Sequence, residues 1–188
     1  MRIIAGTYRS RILRSLKSQS LRPTSDRLRE TLFNILSPEV AASRFLDLYA
    51  GTGAIGIEAL SRGASEVVFV ENHAAAVKLI KENLALLKIT SGVQVISGNA
   101  VESLAKLAAR NSSPFDLVFL DPPYAAEAEY EQLLRALGTS SLISPTSIVI
   151  AEHRKQFELE ETYAALVRYR VLKQGDAALS FYRAAGEV

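Results

Sequence analysis

Cysteine is absent from this 188-residue sequence, and histidine occurs only twice. Without cysteine there are no disulfides, no thiol chemistry and no thiolate metal sites. The two histidines, His73 and His153, do not have the spacing of metal ligands, so we predict no metal site. No apolar run approaches the ~18 residues that cross a bilayer, and residues 1–6 lack the apolar core of a signal peptide. We therefore expect a cytoplasmic protein with no membrane partner.

The net charge is only +2, but it is unevenly distributed along the chain. Residues 1–30 contain eight Lys or Arg and two acidic residues, a net charge of +6, which leaves −4 for the remainder. Such asymmetry indicates a polyanionic partner for the basic segment. We predict a basic hairpin or arm over residues 1–21, followed by one main domain over residues 22–188 that begins with an arginine-rich helix.

The order of helical and strand patterns predicts the fold class. Residues 1–16 indicate a short hairpin that turns near Gly6, and Pro23 with the following Thr-Ser-Asp cluster marks a helix start. Strand and helix patterns then alternate, which is typical of an α/β fold with a doubly wound, mostly parallel sheet. A terminal β-hairpin turns at Gln174-Gly175-Asp176-Ala177. The seven predicted strands are 44–49, 66–70, 93–97, 115–120, 147–151, 166–173 and 178–183.

A glycine-rich loop follows the first of these strands. Gly51, Gly53 and Gly56 match a nucleotide-binding pattern, in which the first glycine makes a tight turn, the second permits close backbone approach and the third allows helix–strand packing. Glu71 follows the second strand, twenty residues after Gly51, where an acidic residue accepts hydrogen bonds from a ribose. The alternative is a plain strand-to-helix turn, but Glu71 favours a nucleoside-containing cofactor.

The fourth predicted strand leads directly into Asp121-Pro122-Pro123-Tyr124. Two prolines restrict the backbone and remove two N–H donors. A carboxylate, an outward carbonyl and an aromatic ring suit a planar substrate that carries an amino group. Hydrogen bonds from that NH2 to Asp121 and to the Pro122 carbonyl would draw the nitrogen lone pair out of conjugation. The alternative is a simple turn that ends the strand.

These segments together resemble a class I S-adenosylmethionine-dependent methyltransferase of the D-P-P-Y type. The closest likeness is to the bacterial family that methylates a guanine N2 in 16S ribosomal RNA. The resemblance covers nearly the whole chain, and the arginine-rich helix is its most family-specific part. The matching stretches are residues 22–34, 46–64, 121–124 and 152–155, together with the Gly175-Asp176 hairpin.

The resemblance implies a Rossmann-like fold, S-adenosylmethionine as cofactor, and 16S rRNA within a small-subunit particle as substrate. Separately, we expect a monomer. The cofactor-binding positions it implies lie at strand ends: Asp47, Gly51 and Gly53 at the methionine, Glu71 at the ribose, and Asn99 and Ala100 at the adenine. The implied catalytic positions are Asp121, Pro122 and Tyr124. Asn99 stands where many methyltransferases carry Asp, and its alternative role is a turn residue. The basic segment adds five candidate RNA-binding residues: Arg9, Arg11, Arg22, Arg27 and Arg29.

Other functions fit parts of the pattern. Adenine N6 in nucleic acid, or a glutamine side-chain amide, also offers a conjugated NH2 to a D-P-P-Y motif. A nicotinamide dehydrogenase fits the glycines, but it leaves the basic segment unexplained and has no evident proton-transfer group. A noncatalytic RNA-binding module would bind RNA without transferring a methyl group.

Overall fold

The structure is a computed structural model that describes residues 1–15, 25–110, 113–123 and 127–185. The chain divides into two compact units, residues 1–99 and residues 100–188, a division that the sequence pattern did not predict. Two candidate site residues, Arg22 and Tyr124, lie outside the described residues. None of the helices in the described ranges is long and apolar enough to cross a membrane.

The first unit alternates helices and strands, as predicted. Strand β1 pairs with β2 and β2 pairs with β3, both in parallel register, so the carboxyl ends of all three strands meet at one edge. Apolar side chains bury β1 and β2 on both faces, which is typical of parallel strands covered by helices. The elements are α1 (Asp26–Val40), β1 (Arg44–Leu48), α2 (Ala54–Ser61), β2 (Glu66–Glu71), α3 (Ala74–Leu86) and β3 (Val93–Ser97).

Residues 1–15, here called the N-terminal hairpin, are joined by an antiparallel bridge between Arg2 and Ile12. The hairpin packs on the first unit through the buried side chains of Ile3 and Leu13. Its Gly6 has a φ of +83° and approaches α2 so closely that a Cβ there would lie 1.7 Å from the Ser61 carbonyl oxygen. The predicted hairpin is therefore confirmed, and it forms part of the first unit's packing.

Helix α1 begins where the Thr-Ser-Asp cluster predicts a start. The Ser25 hydroxyl accepts a hydrogen bond from the Leu28 N–H at 3.1 Å, so Ser25 is the N-cap. Leu28, Leu32 and Leu36 are buried on one face, as the helical spacing predicts. This face places α1 on the core and leaves Arg27 exposed.

The second unit contains α4 (Ala100–Ala109), β4 (Phe115–Leu120), α5 (Glu127–Gly138), β5 (Ile143–Arg154), β6 (Thr162–Tyr163), β7 (Leu166–Gln174) and β8 (Ala177–Ala184). Strand β4 runs parallel to β5, whereas β5–β8, β8–β7 and β7–β6 are antiparallel. The terminal hairpin turns at Gly175, whose φ is +62°, as predicted. The two-residue β6 was not predicted, because two residues are too few for a periodic pattern, and it brings the described strands to eight.

Gly56 carries a packing constraint that allows a test of the first unit. A Cβ at Gly56 would lie 2.3 Å from Phe69 Cε1 and 2.7 Å from Val67 Cγ1. We expect Gly56→Ala to lower the free energy of unfolding by roughly 1–3 kcal/mol, the usual cost of overpacking. Helix propensity alone predicts the opposite sign, a gain of about 1 kcal/mol. Urea unfolding measures the difference, and stabilisation would contradict the packing argument.

A double-mutant cycle tests whether the contact with Phe69 causes the expected destabilisation of Gly56→Ala. Phe69→Leu removes the ring edge that faces Gly56. In that background the cost of Gly56→Ala should shrink, because the two residues are in direct contact and their effects are not additive. Additive effects would show that the clash lies elsewhere.

Candidate functional site

The glycine-rich loop connects β1 to α2 through backbone conformations that favour glycine. Gly51 has a φ of +54° and Gly53 a φ of +77°, both in the left-handed region. The Gly53 N–H donates to the Ala50 carbonyl at 2.7 Å, and Gly53 is the N-cap of α2. Tyr49, at the start of the loop, also has a positive φ of +63°. The loop is thus a tight turn that opens directly into a helix.

Two carboxylates at strand ends hold this loop. An Asp47 carboxylate oxygen accepts a hydrogen bond from the Gly56 N–H at 2.9 Å. One Glu71 oxygen accepts from the Gly51 N–H at 2.7 Å, and the other accepts from the His73 N–H at 2.8 Å. Through these hydrogen bonds the two acids stabilise the backbone conformation of the loop.

The space around the three glycines differs from the sequence prediction in one respect. A Cβ at Gly51 would meet only the Tyr49 carbonyl oxygen, at 3.9 Å. A Cβ at Gly53 would instead lie 3.3–3.4 Å from the side chains of Ile80 and Ile57. Gly51 therefore combines the tight turn with room for close approach, a property predicted for Gly53. The role predicted for Gly56 in helix–strand packing is confirmed.

Burial changes the ionisation of Asp47. Its side chain is 1% exposed, and loss of solvation raises the pKa of this carboxyl to about 7. The hydrogen bond from Gly56 acts in the opposite direction, and the nearby charge of Glu71 adds to the increase. This position supports a role in shaping the loop. A direct contact between Asp47 and a cofactor stays a prediction.

Glu71 and the end of β3 complete the same edge of the first unit. Glu71 is 8% exposed, so its carboxylate lies just beneath the surface. The Gly98 N–H donates to the Glu71 carbonyl oxygen at 3.0 Å, which connects the ends of β2 and β3. Asn99 follows β3 and is exposed, whereas Ala100 begins α4 in the second unit and is buried. The first unit thus brings Glu71 and Asn99 to one strand edge, as predicted.

In the second unit, the Asp-Pro-Pro segment follows β4 directly. Asp121 is half-buried, Pro122 is buried and Pro123 is exposed. The Tyr130 hydroxyl of α5 lies 2.8 Å from the Glu152 carbonyl oxygen and 3.4 Å from the Pro122 carbonyl oxygen. Tyr130 is 1% exposed, so its hydroxyl contacts this segment from the interior of the unit. Periodicity identifies Tyr130 only as a buried helix position, so its contact with the segment was not predicted.

The candidate RNA-binding arginines separate by exposure. Arg9, Arg11 and Arg27 are exposed, and none forms an ion pair with a carboxylate in the described ranges of the chain. The prediction that Arg29 binds RNA is wrong, because its side chain is completely buried. Its guanidinium donates to the Arg2 carbonyl and pairs with Asp26 at 3.1 Å. Arg29 is therefore a structural link between α1 and the N-terminal hairpin and is not available to a phosphate.

Two further residues connect the hairpin to the loop region, and sequence analysis missed both. The buried carboxylate of Glu58 accepts the N–H groups of Ile4 and Ala5 at 2.8 and 3.0 Å. Asn83 accepts from the Arg14 N–H at 2.8 Å and donates to the Thr52 carbonyl at 3.1 Å. Both are polar residues at core-facing helix positions, which is the one sequence signal that could have identified them.

Comparison with known proteins gives consistent findings. A family model described as Conserved hypothetical protein 95 matches residues 1–183. Ribosomal RNA small subunit methyltransferase D from Haemophilus influenzae is 38% identical over 181 residues, which cover 91% of this chain and 92% of that protein. YlbH from Bacillus subtilis is 36% identical over 186 residues, which cover 99% and 100%. The solved structure of yhhF from Escherichia coli matches with a TM-score of 0.86 at 33% identity and covers 100% of this chain and 99% of that one. The predicted α/β fold class is therefore confirmed.

The raised pKa of Asp47 gives a pH-dependent prediction. The folded chain keeps the Asp47 proton up to about pH 7, whereas the unfolded chain releases it near pH 4. The resulting stabilisation is complete below pH 4 and is lost as the pH rises through 7, with a slope of at most ~1.4 kcal/mol per pH unit. Asp47→Asn has no such proton, although its amide oxygen can still accept from Gly56.

We therefore expect the stability of Asp47→Asn, relative to the original chain, to increase between pH 4 and pH 7 and then to stay level. Urea unfolding of both chains at pH 4, 5, 6, 7 and 8 measures this difference. A difference that is constant across the series would show that Asp47 has an ordinary pKa in the folded state.

Proposed function

Since this chain belongs to the Conserved hypothetical protein 95 family, we propose that it is an S-adenosylmethionine-dependent methyltransferase that methylates the N2 amino group of a guanine in 16S rRNA. The similarity of almost the whole chain to Ribosomal RNA small subunit methyltransferase D supports the ribosomal RNA substrate. The same relatives' names disfavour a nicotinamide dehydrogenase. The guanine N2 acceptor rests on the motif resemblance.

One observation carries the assignment of the cofactor: the open, left-handed turn at Gly51 beside the carboxylate of Glu71. Gly51 leaves room where a side chain would obstruct a ligand, and Glu71 offers anionic oxygens to a ribose diol. The residues present therefore fit S-adenosylmethionine, with Asn99 and the Ala100 backbone proposed at the adenine. When bound, this cofactor supplies an electrophilic methyl group.

The acceptor nitrogen is proposed to be held by Asp121 and the Pro122 carbonyl. Both can accept hydrogen bonds from an NH2 group, and Pro122 has no N–H that would compete. The Tyr130 hydroxyl lies 3.4 Å from the Pro122 carbonyl oxygen. Because a carbonyl oxygen has two lone pairs, this oxygen can accept a second hydrogen bond from a substrate. Tyr124, outside the described residues, is proposed to stack on the base.

The N-terminal hairpin is proposed to supply phosphate contacts through Arg9 and Arg11, with Arg22 and Arg27 as further candidates. Because the target base must leave its stack to reach Asp121, binding has to offset a cost of a few kcal/mol. Phosphate contacts from the arm can supply part of that energy. Glu58 on α2 and Asn83 on α3 accept backbone N–H groups of the hairpin. These hydrogen bonds fix the hairpin backbone that carries Arg9 and Arg11.

The identity of the product tests the proposal. Small subunits that lack the modification are incubated with protein and labelled S-adenosylmethionine, and the digested rRNA is analysed for methylated nucleosides. We expect N2-methylguanosine. N6-methyladenosine as the product would show that the acceptor is adenine N6 and not guanine N2. Label in protein would favour a glutamine side-chain amide as the acceptor. RNA binding without methyl transfer would favour a noncatalytic RNA-binding module. Parallel reactions with naked 16S rRNA test the proposed particle substrate, and sedimentation tests the proposed monomer.

Glu71→Ala tests the cofactor assignment. We expect cofactor affinity to fall by the equivalent of one or two charged hydrogen bonds, each ~1.5–3 kcal/mol. The matched control is Glu66→Ala, which removes a carboxylate from the other end of β2, where Glu66 pairs with Arg44 at 2.7 Å. Calorimetry with S-adenosylmethionine should show a loss for Glu71→Ala only. Equal affinities in two folded variants would remove Glu71 from the site.

Substitutions of Asp121 test its proposed role as the hydrogen-bond acceptor for the substrate NH2 group. Asp121→Ala should abolish methyl transfer while cofactor affinity stays nearly unchanged. Asp121→Asn should keep part of the activity, because its amide oxygen still accepts a hydrogen bond from the NH2. The control is Asp116→Ala, an exposed position on β4 itself. If Asp121→Asn were as inactive as Asp121→Ala, a negative charge would be essential and the acceptor role alone would be insufficient.

Substitutions of Arg9 and Arg11 test the proposed RNA binding by the N-terminal hairpin. Substitution is preferable to truncation, because removing the hairpin would deprive the buried Glu58 of the N–H groups of Ile4 and Ala5. Replacing both arginines with Ala should lower the log–log slope of RNA affinity against salt by about one unit per lost phosphate contact. Arg14→Ala is the matched control, since its guanidinium pairs with Glu82 at 2.9 Å. Unchanged slopes would show that the arm has only a structural role.

A further inference from the structure

A register shift in β7 places two unlike side chains on the same face of the second unit. Arg168 pairs with Tyr182 and Arg170 pairs with Phe181, so Tyr169 is an additional residue in the ladder. In a regular strand Tyr169 and Arg170 would point to opposite faces. The bulge instead brings both over Phe181, at 6.2 Å between rings for Tyr169 and 5.8 Å to the ring centroid for Arg170.

Val167 and Arg183 lie on this face as well, because they form a cross-strand pair two positions before the bulge. The Arg183 guanidinium lies 5.0 Å from the centre of the Tyr169 ring. We call these four residues, Val167, Tyr169, Arg170 and Arg183, the bulge patch. Tyr169 is 48% exposed and Val167 41% exposed, whereas Phe181 beneath them is buried. A large aromatic side chain is thus held at the surface, with the Arg183 guanidinium over its ring and the Arg170 guanidinium over the neighbouring Phe181 ring.

The charge around the bulge patch contrasts with the rest of the second unit. Residues 166–184 contain four Lys or Arg and one acidic residue, a net charge of +3. The whole of residues 100–188 has a net charge of −3, so the remainder of the unit carries −6. The terminal hairpin is therefore the part of this unit that attracts a polyanion, in the same way as the N-terminal hairpin of the first unit.

We propose that the bulge patch is a second RNA-binding surface, where Tyr169 stacks on an unpaired base and Arg170 and Arg183 contact the adjoining phosphates. An exposed aromatic ring flanked by arginines suits a single-stranded nucleotide, because every base has a face for stacking and guanidinium groups bind phosphate. An acidic protein partner would use the arginines but has no need of the ring. This inference rests on the proposed RNA substrate and extends it to the second unit.

The test uses the full chain and a fluorescent single-stranded RNA of about ten nucleotides, with affinity measured by anisotropy over a salt series. Tyr169→Ala should weaken binding by ~5- to 150-fold, the range for one stacked base. Tyr169→Phe keeps the ring and should stay within about twofold. Arg170→Ala should lower the salt slope by about one unit. The matched control is Lys106→Ala on α4, since Lys106 is exposed and pairs with Glu102 at 3.7 Å.

Four results would overturn the inference. Original affinity and slope in both Tyr169→Ala and Arg170→Ala would exclude the bulge patch from RNA binding. A dimer that Tyr169→Ala dissociates without change in RNA affinity would assign the surface to a second copy of the chain. A chain that binds no RNA and methylates no rRNA would overturn the proposed function together with this inference, whereas methylation that the variants leave unchanged would overturn the inference alone. Calorimetry with S-adenosylmethionine should give equal affinities for all the variants.

Discussion

The conformation of the glycine-rich loop depends on two carboxylates that accept backbone N–H groups. The loop leaves β1 in left-handed conformations, and several of its N–H groups have no helical partner. Asp47 accepts from Gly56, and Glu71 accepts from Gly51. The loop is therefore held from the ends of two strands, with the open side of Gly51 left for a ligand. This arrangement is the basis of the cofactor assignment.

A second constraint connects the basic N-terminal hairpin to the same unit. Glu58 is completely buried in α2 and accepts two N–H groups of the hairpin, while Arg62 pairs with it at 2.8 Å and Arg29 at 3.8 Å. A buried carboxylate without such partners would cost several kcal/mol. The hairpin therefore supplies hydrogen bonds to the buried Glu58 carboxylate, and its exposed arginines belong to the folded unit.

Much of the candidate site could be predicted from the sequence. Residues at the carboxyl ends of parallel strands share one edge, so Gly51, Glu71 and Asn99 follow from the strand pattern alone. Arg29 could not be assigned correctly, because helical spacing places it beside the apolar face of α1 while composition favours an exposed arginine. Its burial depends on Arg2, twenty-seven residues earlier, and on Glu58, twenty-nine residues later.

The sequence by itself determined the fold class, the glycine loop, the Asp-Pro-Pro segment and the basic N-terminal segment, because periodicity, turn residues and charge are local properties. Only the tertiary structure decided that Gly51 is the open position and that Gly53 packs against Ile80. It also decided that the bulge in β7 brings Tyr169 and Arg170 to one face. The physical reason is the same in each case: the neighbours of a side chain come from distant parts of the chain, and local patterns do not specify them.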